Sequence, residues 1–153
     1  MANKALVGLI LFTLVSLMPI TGWAGNRPKE FRGIKWGTKI STIKDLEEIK
    51  GSPDSYTRKN DKLEIGGNSV DSIHYVAEDG KIIKVNVIFP KESSFGIERA
   101  LREQYGQPDE INNKYSISEI WFANDEAEAQ IVFDSMGYLV FTEKAYLASQ
   151  SGL

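Results

Sequence analysis

The sequence predicts an α+β domain built from tandem α-β-β-β units, with about six strands in one antiparallel sheet and two helices packed on one face. Three observations point there. The phrases Gly51-Ser-Pro-Asp-Ser55 and Gly106-Gln-Pro-Asp-Glu110 are nearly identical and stand 55 positions apart. Each follows a stretch whose apolar residues recur at helix-like intervals. Each then leads into alternating segments joined by turn residues. The distance from Gly51 to the turn glycine Gly80 is 29 residues, and from Gly106 to Gly137 it is 31. Shared order over such a length reads as one unit used twice.

The chain has 153 residues. Lys4 precedes an uncharged run, Ala5 to Met18, which Pro19 and Gly22 interrupt. Gly22-Trp23-Ala24 places small residues at −3 and −1 of a cut after Ala24. This is the layout of a secretory signal peptide, so residues 1–24 are expected to be one. The apolar core is shorter than the roughly 20 residues that a membrane span needs. Residues 25–153 are then expected to form a single α+β domain of two similar halves, about 31–90 and 91–146.

In chain order, Phe31, Ile34 and Trp36 read as a lead-in that tucks against the body. The first helix is expected over Ser41 to Lys50. Ile40, Ile43, Leu46 and Ile49 recur every third residue, Ser41 or Thr42 can cap the start, and Gly51 and Pro53 stop it. Lys62 to Ile65 reads as a short edge strand. Val70 to Ala77 and Ile82 to Phe89 alternate and flank Asp79-Gly80, a strong hairpin signal. The second helix is expected over Ser94 to Tyr105, with Ile97, Ala100, Leu101 and Tyr105 as its apolar stripe. Tyr115 to Phe122, Ala127 to Asp134 and Tyr138 to Lys144 read as the remaining strands.

Composition narrows the chemistry. The chain has no cysteine, which excludes disulfides, thiol nucleophiles and thiolate metal sites. Without Lys4, 17 basic residues face 21 acidic ones, a net charge of −4. A general nucleic-acid binder would carry a basic field instead. Arg27, Lys29, Arg32, Lys35 and Lys39 form a local basic cluster that could meet a membrane surface or an acidic partner. An uncleaved N-terminus is the other route to membrane contact.

His74 is the only histidine. It falls mid-strand, opposite in face to Ile73 and Tyr75. No G-x-S-x-G, H-E-x-x-H or P-loop pattern occurs. The acidic stretch Asn124 to Glu128 lacks the spacing of a calcium loop and reads as a hairpin tip. No catalytic residue, metal or cofactor is therefore expected. Trp121 and Phe122 are adjacent in a strand, so they point to opposite faces. One of them should lie outside the core.

The run Phe31-Arg-Gly-Ile-Lys-Trp-Gly37 resembles the start of a loose group of small exported bacterial proteins of unassigned function. The helix, Gly-x-Pro and hairpin order also resembles outer-membrane assembly lipoproteins of the SmpA/OmlA type. Duplicated, it is similar to the proteinaceous β-lactamase inhibitors. The resemblance implies an architecture and protein–protein binding, and no functional residues. The expected function is an exported, non-enzymatic module binding another protein or an envelope component. The outer sheet face at His74, Lys84, Asn86, Trp121 or Phe122 and Gln130 is its candidate surface. The alternative is a carrier or sensor of a small apolar ligand held between helices and sheet. Hydrolysis by His74 with a carboxylate ranks last.

Overall fold

A computed structural model describes residues 28–121 and 129–143. The expected leader, residues 1–24, lies outside them. No helix among the described residues is long and apolar enough to cross a membrane.

The chain opens with a tight hairpin, β1 (Glu30–Phe31) and β2 (Ile34–Lys35). A single 3-10 turn, Ile40–Thr42, leads to β3 (Leu46–Glu48) and β4 (Ser55–Arg58). A small hairpin follows, β5 (Glu64–Ile65) and β6 (Asn68–Ser69). Then come the long strands β7 (Ser72–Glu78) and β8 (Lys81–Ile88). Asp79 and Gly80 both take positive φ, 50° and 71°, as a two-residue hairpin turn requires. Helix α1 (Ser94–Tyr105) precedes β9 (Glu110–Asn112), β10 (Ser118–Trp121), β11 (Ala129–Asp134) and β12 (Tyr138–Glu143).

Eight of these strands form one antiparallel sheet in the order β3-β4-β7-β8-β12-β11-β10-β9. The first and second halves of the chain each contribute four neighbouring strands. They meet at β8 and β12, where Val85 faces Phe141 and Val87 faces Leu139. The two halves therefore share a sheet.

This corrects the expected architecture. The fold is mostly β, with eight strands in the main sheet, two small sheets and one α-helix among the described residues, in place of six strands and two helices. The first expected helix, Ser41 to Lys50, is a 3-10 turn followed by a strand. Its spacing explains the error. At about 100° per residue, nine residues from Ile40 to Ile49 turn the side chains by about 180°, so strict threefold spacing makes no single stripe. Its isoleucines and Thr42 are also β-branched and stiff at χ1, which suits extended backbone. Lys62 to Ile65 supplies only the small β5 strand, outside the main sheet; β4 takes the place next to β7.

The sheet has unlike faces. Alternation sends Ile73, Tyr75, Val85, Val87, Ile131, Phe133, Leu139 and Phe141 inward, all at 3% exposure or less. Helix α1 joins this core through Ile97 and Leu101, and the N-terminal hairpin joins it through Phe31 and Ile34. Phe31 meets the Tyr75 ring edge-on at 5.9 Å and the Phe141 ring at 4.9 Å. The lead-in thus packs in the core and does more than tuck against it. A shift in register at Val76/Ala77 places Ile82 opposite Ala77 and leaves Ile83 as an extra residue in β8.

Candidate partner-binding face

The outward residues of the central strands fall into rows across the sheet. Strand pairing places His74 beside Asn86, Asn86 beside Val140, Val140 beside Val132, and Val132 beside Ile120. The next row toward the β11–β12 turn runs Ser72, Ile88, Tyr138, Asp134, Ser118. On the other side lie Val76, Lys84, Thr142 and Gln130. Directly paired side chains sit about 5 Å apart, so each row is a continuous contact line.

Ile88, Val140, Val132 and Ile120 are half-buried, while Tyr138 is 57% exposed. Together they make an apolar band across β8, β12, β11 and β10. His74, Asn86, Lys84 and Gln130 border it and are half-buried too. Charge is sparse. Lys84, Asp134 and, beside Ile120 at the sheet edge, Glu110 are the formal charges in these rows, and both Asp134 oxygens are engaged, Oδ2 accepting from Ser116 Oγ at 3.1 Å and Oδ1 from the Met136 N–H at 2.8 Å.

Four of the six expected contact residues, His74, Lys84, Asn86 and Gln130, therefore share one face. Trp121 does not. It points inward, is 1% exposed, and its Nε1 donates to the Gly106 carbonyl at 2.9 Å. The reason is parity: Ile120 takes the outward position in β10 and Glu119 and Trp121 take the inward ones. Phe122 lies outside the described residues. Sequence reasoning overlooked Ile88, Val132, Val140 and Ile120. A signal was available. In β12 Tyr138 and Val140 alternate with Leu139 and Phe141, so one of the two apolar sets had to face out.

His74 has Asn86, not an acid, as its cross-strand partner. Among the described residues no group of three or more His, Asp or Glu is placed to hold a metal ion. The face offers adaptable hydrogen-bonding groups around apolar area, which suits recognition.

A second concave region lies on the opposite side of the sheet, between the N-terminal hairpin, the β4–β5 loop and the end of α1. It encloses about 950 Å³. Phe31, Leu101 and Phe141 form its apolar floor. Six basic and four acidic residues line it, an excess of positive charge in a chain whose net charge is −3. Part of that charge is spent internally. Arg32 pairs with Asp61 and donates to the carbonyls of Lys62 and Glu64. Arg58 Nε donates to Asp45 Oδ2 at 2.9 Å, and this bond lowers the Asp45 carboxyl below its ordinary range. Tyr75 donates its hydroxyl to Asp61 Oδ2 at 2.8 Å, and burial, then Asp61, raises the phenol. Burial also pushes Tyr105 up to about 12. The network ties the hairpin and the loop to the core.

The basic N-terminal cluster is thus divided. Arg32 turns into this network, Lys29 and Lys35 line the cleft, Lys39 is exposed beside β8, and Arg27 lies outside the described residues. Compared with protein-family models, with curated proteins and with solved structures, the chain finds no match in any of the three.

Proposed function

We propose that this chain is an exported, non-enzymatic binding module that docks a protein partner or another envelope component on the outer face of its sheet. One observation carries the reading: the outward residues Ile88, Tyr138, Val140, Val132 and Ile120 form an apolar band that stands outside the core cluster, with Tyr138 57% exposed. An apolar centre with a polar border and little charge is the composition of interface cores.

Site-specific photo-cross-linking tests it. A cross-linking residue at Val132 or Asn86 should capture one discrete partner in envelope extracts. The same residue at Phe95, 74% exposed on α1, should not. Equal capture from all three positions, or capture from Phe95 alone, overturns the assignment. With the partner in hand, Lys84→Glu combined with Gln130→Arg should abolish its binding.

A second reading, carriage of a small apolar ligand, rests on the cleft. Its volume lies within the roughly 300–1,000 Å³ of small-molecule sites. The basic lining favours a ligand with an acidic head. Displacement of a fluorescent fatty acid measures this. Gln104→Trp, which fills the cleft from α1, should eliminate binding if the ligand sits there. Equal binding by the variant contradicts this reading.

A further inference from the structure

Glu119 lies on the inward side of β10, among apolar residues, with its side chain 1% exposed. Its cross-strand neighbours are Ile111 on β9 and Phe133 on β11, neither of them ionisable. From α1, two charged groups face it, Arg102 and Glu98. Arg102 Nη2 donates to Glu119 Oε1, Nε donates to Glu98 Oε1 at 3.1 Å, and Nη1 donates to Gln107 Oε1. The remaining charged residues of this helical turn, Arg99 and Glu103, pair with each other and are well exposed.

Two carboxyls therefore share one guanidinium, and that guanidinium is divided among three acceptors. Glu119 Oε2 is buried and has no hydrogen-bond partner among the described residues. An ionised oxygen in that position lacks any donor and is costly; a neutral hydroxyl there forgoes one hydrogen bond and costs far less.

We propose that Glu119 is a proton-operated latch between α1 and the β9–β10 edge of the sheet. With a proton on Oε2, the cluster holds one carboxylate, one guanidinium and one neutral acid, and α1 seats fully on β10. Loss of that proton leaves two carboxylates competing for Arg102. The C-terminal half of α1 then loosens. Two contacts lie next to the latch and would be affected: Trp121 Nε1 to the Gly106 carbonyl, and the Asp109 N–H to the Ile120 carbonyl at 2.7 Å. The latch is independent of what binds the outer face.

Burial, then Glu98, raises the Glu119 carboxyl above its ordinary value, against the opposing pull of Arg102. A group raised in the folded state stabilises below its unfolded pKa, about 4.3 for a glutamate, and that stabilisation disappears as pH rises through the folded value. The protein should therefore hold α1 more tightly in mild acid than above neutrality.

Hydrogen exchange, corrected for intrinsic rates, reads this directly. Protection of amides 98–105 and 119–121 in the wild type should fall between pH 4 and pH 8, by up to about tenfold for each unit of upward displacement. Glu119→Gln, neutral at both pH values, should show no such fall. Glu98→Gln should show a smaller one, because the second carboxylate is gone. Carbon-13 NMR of the Glu119 carboxyl follows the same event without substitution, and its midpoint should lie above the ordinary glutamate value. A midpoint at or below that value overturns the latch, as does protection that is flat with pH in the wild type or equally steep in Glu119→Gln.

Discussion

Gly51-Ser-Pro-Asp-Ser55 and Gly106-Gln-Pro-Asp-Glu110 share three letters of five, and their glycines share a positive φ, +83° and +84°. They do different work. Gly51 lies in the turn of the β3–β4 hairpin, where the Ile49 N–H bonds the Ser55 carbonyl at 2.8 Å and Asp54 also takes positive φ, 59°. Gly106 ends α1. Its N–H bonds the Arg102 carbonyl at 2.9 Å and its own carbonyl accepts from Trp121. A Gly-x-Pro-Asp phrase thus marks a reversal of the chain without saying what enters it. The preceding residues decide. From Ile97 through Leu101 to Tyr105 the side chains turn by only about 80° over eight residues, a true stripe; from Ile40 to Ile49 they turn by about 180°.

Four substitutions break or sharpen this comparison. The largest effect is expected from Trp121→Ala, which empties a core position and removes the donor on Gly106. It should cost about 3–5 kcal/mol in chemical denaturation. Gly106→Ala comes next. Gly106 has ψ −158°, a region open almost only to glycine, so the loss should be about 1–3 kcal/mol by the same measurement. Gly51→Ala meets no atom within 4 Å and suffers only from its positive φ, for about 1–2 kcal/mol. The two glycine variants should also differ in kind. Circular dichroism of isolated fragments covering 91–110 should lose helix signal on Gly106→Ala, while fragments covering 41–60 show no helix with or without Gly51. The smallest effect belongs to Val132→Ala on the outer face, which should change stability by less than about 1 kcal/mol while weakening partner binding.

Much of the sheet was legible from alternation alone. β7, β8, β11 and β12 fall close to their expected spans, and α1 runs from Ser94 to Tyr105 as its stripe requires. The missing first helix was not legible because an i, i+3 pattern without i+4 partners was read as a stripe. The short strands β3, β4 and β9 carry no alternation to read over three or four residues; the sheet assigns them through its backbone pairing. The outer face was half legible. Its polar members stood out as breaks in apolar strands. Ile88, Val132, Val140 and Ile120 were not singled out, since no sequence pattern separates an inward valine from an outward one when both sets are apolar, as in β12. Glu119 was unremarkable until α1 placed Arg102 and Glu98 above it.

The most direct test of the proposed docking face is amide-resolved NMR of the protein titrated with its cross-linked partner. Shift changes confined to β7, β8, β12, β11 and β10, strongest at Val132, Val140 and Asn86, are the predicted result. Changes centred instead on Gln104, Tyr105 and the β4–β5 loop would place binding in the cleft and contradict the outer face.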